Sequence, residues 1–208
     1  FDDYGHHPRE IEATLAALRG LRARRLLAAF QPHRYTRTQY LLEDFANCFN
    51  EADQVWITDV YSAGEQEIPE VNGTRLASAV AEQGTLAAFA PTLSRLREQV
   101  RMAAKPGDVI VFFGAGDITQ VAHQVAIDLA VESGQAASAL SALLAPDSRV
   151  NADEPMAKRT TLRVGGAADL FVEPASEADL VKVLQFCAAR ELPWLVLGRG
   201  SNLLVRDG

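Results

Sequence analysis

The sequence predicts an α/β fold, with a mostly parallel, Rossmann-like sheet over residues 1–133 and the start of a smaller α+β domain after it. Three observations carry this prediction. Helix-like and strand-like segments alternate regularly through the first part, an order typical of a parallel sheet covered on both faces. Residues 134–155 are rich in alanine and serine and interrupt the alternation. A different pattern begins at residue 156 and continues to residue 208.

Each element of the first part follows from a local pattern. Pro8 suits the first position of a helix that Gly20 can end. Short apolar runs predict buried strands, and apolar residues in helical phase predict the helices between them. The predicted order is helix 8–18, strand 25–30, helix 36–49, strand 55–60, helix 74–82, strand 86–90, a helix capped by Thr92, strand 109–113 and a helix capped by Asp117.

The second part has fewer elements. Residues 134–155 predict a linker without a strand pattern, in which the alanines and leucines from Ala136 to Leu144 form a short amphipathic helix that Pro146 ends. Downstream, the pattern predicts strand 170–172, a helix over 176–189 and strand 194–197. These elements open the incomplete domain predicted for residues 156–208.

Composition narrows the possible functions. A net charge of −7 argues against non-specific nucleic-acid binding. No apolar run reaches the roughly 18 residues of a transmembrane helix, so membrane insertion is not expected. Cys48 and Cys187 lie far apart in apolar helical patterns, which favours buried free thiols in a reducing compartment such as the cytoplasm. The chain opens at Phe1 without an initiator methionine, and we expect it to be a fragment.

Parallel sheets place their ligand sites along the edge where the strands end. The loop after the first predicted strand holds residues 32–37, and the loop after the last holds the turn Gly114-Ala115-Gly116. We expect both loops at the same edge. The turn could direct backbone N–H groups at a phosphate, but position 119 is threonine where a dinucleotide fingerprint has its third glycine. A Rossmann dehydrogenase is therefore a weakly supported alternative.

Two polar clusters belong to the predicted site. Residues 2–8 read DDYGHHP, and their side chains can serve either as helix caps or as ligand-binding groups. Adjacent His6 and His7 cannot easily bind one metal ion together, and we expect no metal site there. Arg34 and Arg37 lie three residues apart at a strand-to-helix turn, so both guanidinium groups can converge on one carboxylate or phosphate. A solvated basic loop fits the same spacing.

Four segments in this order resemble the C-terminal domain of the UDP-N-acetylmuramate–L-alanine ligase family: DDYGHHP at 2–8, FQPHRYTRT at 30–38, VWITDVYSAGE at 55–65 and FFGAGDI at 112–118. The resemblance implies an ATP-dependent ligase that activates the muramoyl carboxylate as an acyl phosphate, which the amine of L-alanine then attacks. It also implies a set of residues around L-alanine and the muramoyl end of UDP-N-acetylmuramate, namely Tyr4, His6, His33, Arg34 and Arg37.

The same resemblance implies that a carboxylate of Asp2 or Asp3 approaches the ATP. The sequence contains no G-x-x-x-x-G-K-[ST] loop, so ATP and Mg²⁺ are expected to bind mostly through domains that this chain does not contain. No complete catalytic set is expected on the chain, and it should not ligate alone.

Near the end of the chain, Gly198-Arg199-Gly200-Ser201-Asn202 separates two strand-like segments. Such a loop could hold a pyrophosphate through its N–H groups and the Ser201 hydroxyl, although a plain tight turn fits the residues too. TTLRVGGAADLFVEP at 160–174 and WLVLGRGSNLLVRDG at 194–208 resemble the FAD-binding part of the UDP-N-acetylenolpyruvoylglucosamine reductase family. That resemblance implies FAD at the glycine loop, with NADPH and UDP-N-acetylenolpyruvoylglucosamine as substrates.

The two resemblances together predict a fragment of a fused, bifunctional enzyme of peptidoglycan precursor biosynthesis, with the ligase first and the reductase second. The second resemblance implies that the catalytic arginine, serine and glutamate of the reductase family come later than residue 208. Reduction by this piece alone is therefore not expected. The alternative is a non-catalytic α/β module that binds an amino acid or a nucleotide.

Overall fold

A computed structural model of the chain describes residues 1–21, 23–163, 165–190 and 192–198. The chain divides into two compact units, residues 1–128 and 129–208. The first unit contains a five-stranded parallel sheet in the order β1-β5-β2-β3-β4, which confirms the predicted α/β fold. The strands are β1 (Asp2–Asp3), β2 (Leu26–Phe30), β3 (Gln54–Thr58), β4 (Ala87–Ala90) and β5 (Val109–Phe113).

Helices alternate with these strands, and three of them begin at a residue that favours a helix start. Pro8 opens the first helix, and the side chains of Asn72 and Thr92 accept hydrogen bonds from Arg75 N and Arg95 N at the starts of two others. The helices are α1 (Pro8–Arg19), α2 (Tyr35–Tyr40), α3 (Leu42–Asn47), α4 (Gly73–Glu82), α5 (Leu93–Ala103) and α6 (Ile118–Ser141).

The core of the first unit lies on both faces of the sheet. All five residues of β2 are buried, as expected for a central strand between two helical layers. Successive side chains of a strand point to opposite faces, and one face forms the main cluster with α1, α3 and α4 (Ile11, Leu15, Leu26, Ala28, Phe30, Phe45, Phe49, Ile57, Leu76 and Val80 among its members). Buried residues outside that cluster include Leu96, Val100, Ile118, Val121 and Val125.

Two features of the first unit differ from the prediction. The helix expected over 36–49 is interrupted at Leu41, which leaves helical geometry with φ −110° and ψ 19°. The interruption still leaves Leu41, Leu42, Phe45 and Phe49 packed in or against the main core cluster. The second difference is β1, whose two aspartates pair with Phe112 and Phe113. Aspartate has a low propensity for strands. β1 therefore forms because it pairs with β5, and not because of its local sequence.

The second unit contains an antiparallel pair, β6 (Arg149–Pro155) and β7 (Ala167–Glu173), and the helix α7 (Glu177–Ala189). The prediction of no strand within 134–155 is wrong at β6, because its pairing with β7 outweighs its charged, strand-poor sequence. The predicted linker helix forms the last turns of α6, which is continuous over 24 residues. Residues 194–197 do not form a strand, since no described residue pairs with them. The domain limits 1–133, 134–155 and 156–208 stay predictions.

Burial of the cysteines agrees with the sequence. Cys48 and Cys187 are both free thiols and both buried, and burial raises the pKa of each thiol above its ordinary value. Within the described ranges, no helix is both long and apolar enough to cross a membrane.

Candidate functional site

Loops that follow neighbouring strands meet at one edge of the first unit's sheet. Gln31 N, directly after β2, donates to Phe113 O at the end of β5 (3.0 Å). Tyr61 N, after β3, donates to Pro32 O (2.8 Å), and Arg34 N donates back to Tyr61 O (2.8 Å). The prediction that the loops after β2 and β5 share an edge is confirmed, and the loop after β3 joins them.

A row of aromatic and imidazole rings crosses this edge. The rings of Tyr4 and His6 meet edge to face with centroids 5.4 Å apart, and the His6 ring lies 5.9 Å from that of His33. His33 in turn stacks on Tyr61 at 5.5 Å, with the planes inclined by 14°. Three of the predicted alanine-site residues are therefore neighbours, and Tyr61 extends the row.

Residues before α1 divide into caps and accessible groups. The side chain of His7 accepts from Arg9 N (3.3 Å), and the carboxylate of Glu10 accepts from the backbone N–H groups of His6 and His7. These contacts form the helix start that the capping alternative describes, and they lower the pKa of Glu10 through the hydrogen bonds. His7 is therefore a capping residue, whereas the imidazole of His6 turns toward the row of rings.

The two aspartates predicted to approach ATP differ in their surroundings. Asp3 uses both carboxylate oxygens within the chain, since Oδ1 accepts from Gly5 N (2.7 Å) and Oδ2 from Thr14 Oγ1 (2.8 Å). Asp2 is exposed, with Oδ2 4.0 Å from His123 Nε2. Asp3 is thus fixed as a structural group, and Asp2 is the freer carboxylate of the pair. The nucleotide role stays a prediction for both.

Arg34 and the start of α2 are held by a carboxylate from the loop after β3. Glu65 accepts hydrogen bonds from Thr36 N (3.0 Å) and Thr36 Oγ1 (2.7 Å), and its Oε1 lies 3.9 Å from Arg34 Nη1. These hydrogen bonds, with Arg34 as a further cause, lower the pKa of Glu65. The backbone N–H of Thr36, in the first turn of α2, is therefore already occupied by this side chain.

Two buried nitrogens in the centre of the site have no hydrogen-bond partner among the described residues. They are Nη1 of Arg37 and Nδ1 of His33. Leaving a buried polar group unpaired costs roughly 1–3 kcal/mol, and more for a charged group. The charge of Arg37 acts on His33, whose pKa is lowered by burial first and by Arg37, His6 and Arg34 next. The site thus combines a half-buried arginine, whose Nη1 is buried, with an imidazole held neutral near pH 7.

The glycine turn after β5 is filled by protein side chains. A Cβ added at Gly116 would lie 2.5 Å from Gln31 Oε1 and 3.0 Å from the Tyr61 ring, and Gly114 has φ +155°. Gln31 also donates from Nε2 to Asp117 Oδ1 (2.7 Å), so the Asp117 carboxylate is bound to Gln31. Both glycines are required by close packing, which removes the support for a dehydrogenase phosphate loop.

Titration of His33 gives a first testable prediction. Its pKa lies below the ordinary value of 6.5, so the unfolded chain takes up a proton before the folded chain does. The stability that neutral His33 contributes is complete above pH 6.5 and is lost as the pH falls through its folded pKa. A pKa that folding lowers by one pH unit corresponds to about 1.4 kcal/mol. We expect an NMR titration of the imidazole resonances to place the pKa of His33 below 6.5.

A variant separates His33 from the other histidines. His33→Gln should unfold with a weaker dependence on pH between 7.5 and 5.5 than the wild-type chain, as measured by denaturant titration at several pH values. His7→Gln serves as the control, because His7 caps α1 outside the row of rings. A His33 resonance that titrates above 6.5 would contradict the description of a desolvated imidazole beside two arginines.

Three residues that the sequence patterns did not single out take part in this edge: Gln31, Tyr61 and Glu65. Gln31 is buried (6% exposed), and Tyr61 and Glu65 lie in the loop after β3. The signal for them is the same rule that selects the loops after β2 and β5, because β3 is parallel to both and ends at the same edge. The charge of Glu65 and the ring of Tyr61 could have been selected on that basis.

The described residues contain no group of three or more histidine, cysteine, aspartate or glutamate side chains placed to hold a metal ion. The predicted FAD loop lies outside the described residues apart from Gly198, so Arg199, Gly200, Ser201 and Asn202 stay predictions.

Comparisons with known proteins agree with the two parts of the chain. Residues 1–116 match the family model "Mur ligase, glutamate ligase domain", and residues 168–208 match the model "FAD binding domain". The chain is 50% identical over 124 residues to UDP-N-acetylmuramate–L-alanine ligase of Acidithiobacillus ferrooxidans (59% of this chain, 27% of the relative). It is 47% identical over 127 residues to the enzyme of that name in Nostoc punctiforme (60% and 26%).

The chain therefore spans about a quarter of the length of these curated relatives. Among solved structures, a murein peptide ligase from Psychrobacter arcticus is 21% identical with a TM-score of 0.48, over 61% of this chain and 26% of that one.

Proposed function

Because the chain belongs to the Mur ligase family through its glutamate ligase domain at residues 1–116, we propose that it supplies the amino-acid-binding domain of an ATP-dependent ligase that joins L-alanine to UDP-N-acetylmuramate. Both curated relatives described above carry that activity in their names. In this proposal the row of rings and the two arginines at the sheet edge form the alanine site: Tyr4, His6, His33, Arg34 and Arg37.

One observation carries the proposal for the site. Arg37 Nη1 and His33 Nδ1 are buried and without a hydrogen-bond partner among the described residues. A small ligand with a carboxylate would supply an acceptor for the guanidinium and so recover the free energy lost by leaving it unpaired. L-alanine carries such a carboxylate, and charge-assisted hydrogen bonds to arginine are among the strongest such contacts.

The chemistry assigns different tasks to these residues. Arginine holds the alanine carboxylate and leaves the amine free to approach the activated muramoyl carbonyl, an arrangement that replaces a bimolecular encounter. His33 is neutral above its lowered pKa, so it adds no positive charge to repel the amine and can accept a hydrogen bond from it. The new C–N bond forms at the acyl phosphate, the C–O bond to phosphate breaks, and the amine loses a proton.

ATP supplies the phosphoryl group for this activation. The described residues offer few groups for it, since the glycine turn is filled by Gln31 and Tyr61 and both oxygens of Asp3 are engaged. Asp2 is exposed and could approach the nucleotide. The proposal therefore assigns most of the ATP and Mg²⁺ binding to parts of the ligase outside this chain.

We also propose that the second unit begins the FAD-binding domain of a UDP-N-acetylenolpyruvoylglucosamine reductase on the same polypeptide, with NADPH as reductant. The match of residues 168–208 to an FAD-binding model supports this proposal, and so does the antiparallel pair β6–β7 after a mostly parallel unit. Both activities would then serve peptidoglycan precursor synthesis in the cytoplasm, where ATP and NADPH are available.

An assay of the full-length gene product tests the ligase proposal. Phosphate release from ATP should require both UDP-N-acetylmuramate and L-alanine, and mass spectrometry should identify the alanyl product. A protein that binds L-alanine in calorimetry but releases no phosphate would instead support the non-catalytic module. Release that proceeds equally with D-glutamate in place of L-alanine would contradict the assigned amino acid.

A flavin measurement tests the second unit. We expect Gly200→Val to reduce the FAD retained by the full-length protein after gel filtration to less than about a tenth, because a side chain would block close approach of the loop backbone to the pyrophosphate. Ser201→Ala should reduce retention less, since it removes one hydrogen bond. Ser138→Ala, an exposed-face serine of α6, is the control, and a fully yellow Gly200→Val protein would contradict the loop assignment.

A further inference from the structure

We infer that Glu65 is a positioning residue for the alanine site, which holds Arg34 and the first turn of α2 in the geometry that presents Arg34 and Arg37 to the substrate carboxylate. This inference rests on the proposed function and assigns a role to a residue outside the predicted set. Glu65 itself need not touch the substrate. It acts through Thr36 and Arg34.

The hydrogen bonds that Glu65 accepts hold the first turn of α2 in place. One carboxylate oxygen accepts from Thr36 N (3.0 Å) and the other from Thr36 Oγ1 (2.7 Å). The helix α2 has no side-chain cap of its own, because Arg34 occupies the N-cap position and makes no capping bond. Glu65 therefore supplies from another loop the acceptor that a serine or aspartate at the N-cap supplies elsewhere.

The backbone conformation of Arg34 shows why the hydrogen bonds between Thr36 and Glu65 are needed. Arg34 has φ +73° and ψ +133°, a conformation that strains a residue with a side chain and persists only when its surroundings impose it. The surroundings here are Arg34 N bound to Tyr61 O and Thr38 Oγ1 bound to Arg34 O, together with the Glu65 contacts. The loop after β2 and the loop after β3 therefore stabilise each other.

Charge gives Glu65 a second effect on the site. Its Oε1 lies 3.9 Å from Arg34 Nη1, so it draws that guanidinium toward the loop after β3. It also opposes the arginines at His33, whose pKa it raises while Arg37 and Arg34 lower it. The side chain of Glu65 is 20% exposed, which limits screening by solvent relative to a fully exposed carboxylate.

Glu65→Gln tests the inference with little change in size. The amide oxygen can still accept from Thr36 N and the amide NH₂ can donate to the Thr36 hydroxyl oxygen, so both charge-assisted hydrogen bonds become neutral ones. The negative charge beside Arg34 is lost. In the full-length gene product we expect the apparent KM for L-alanine to rise about 10-fold. The KM for ATP should change less than about twofold, because the proposed function assigns most of the ATP binding to other parts of the ligase.

Glu70→Gln is the matched control, since Glu70 lies in the same loop, is exposed, and pairs only weakly with Arg75 at 3.5 Å. It should leave both KM values unchanged. Should Glu65→Gln fail to fold, Thr36→Val decides, because it removes only the hydroxyl contact and should raise the alanine KM by a few-fold. A wild-type alanine KM in the folded variant overturns the inference.

An NMR titration of this chain gives a readout that does not depend on ligation. Glu65→Gln should lower the pKa of His33 further and shift the Thr36 amide resonance, whereas Glu70→Gln should do neither. If the wild-type protein does not ligate L-alanine, the proposed function fails, and the titration still decides whether Glu65 organises this edge. Unchanged His33 and Thr36 resonances in Glu65→Gln would show that it does not.

Discussion

Under the proposed function, replacing Arg37 with alanine is expected to raise the apparent KM for L-alanine by about 10- to 100-fold in the full-length gene product, with the KM for ATP changed less than about twofold. This range corresponds to the loss of a charge-assisted hydrogen bond worth roughly 1.5–3 kcal/mol. The physical reason is the buried Nη1 of Arg37, which lacks a partner among the described residues and which the alanine carboxylate would pair with in the proposed function. Initial-rate kinetics with each substrate varied in turn measure the effect.

Two further variants sharpen this test. Arg37→Lys keeps the charge but not the planar fork of donors, so we expect it to recover only part of the alanine affinity. Arg95→Ala serves as the matched control, because Arg95 lies on α5, is half exposed and pairs with Glu98 on the same helix. An alanine KM that stays at the wild-type value in Arg37→Ala would refute the arginine clamp.

Replacing Gly73 with alanine is expected to destabilise the first unit by about 3 kcal/mol, at the upper end for overpacking a close contact. A Cβ at this position would lie 2.0 Å from the backbone oxygen of Thr58 and 2.7 Å from Cε2 of Phe89. The backbone of β3 cannot yield as a flexible side chain can, so α4 must move away from the sheet. Denaturant unfolding, followed by the change in tryptophan fluorescence as the buried Trp56 of β3 becomes exposed, measures the loss.

Gly134→Ala provides the contrasting case. This glycine lies inside α6, and a Cβ there would meet no described atom within 4 Å. Alanine should stabilise the helix by roughly 0.5–1 kcal/mol, because glycine in a helix interior loses more backbone freedom on folding. Equal effects of the two substitutions would contradict the assignment of Gly73 to a close helix–strand contact.

Most of the first unit's architecture could be predicted because its elements carry their own signals. Apolar strands such as VIVFF at 109–113 and caps such as Thr92 are local, and the structure places a strand and a helix start at those positions. The two strands that the sequence did not predict, β1 and β6, depend on pairing with another strand. β1 and β6 are short or charged, and they exist because β5 and β7 offer them hydrogen bonds.

The site shows the same division. His33 and Arg34 could be selected because they follow a predicted strand in a polar, proline-containing turn, and the structure places them at the expected edge. Glu65 could not be connected to Thr36 from spacing, because 29 residues separate them and only the parallel pairing of β2 with β3 brings them together. The sequence likewise predicts that Asp117 caps the helix that follows it. It does not predict that the buried Gln31, from the loop after β2, donates a hydrogen bond to the Asp117 carboxylate.

The backbone of Arg34 adopts a conformation that favours glycine. Glycine would adopt φ +73° without strain, so a search for a more stable protein would favour glycine at position 34. Glycine would also remove the guanidinium group that lies near Glu65. In the proposed function the same group faces the substrate. Under the proposed function, an arginine at this position therefore exchanges backbone stability for a side chain that faces the substrate.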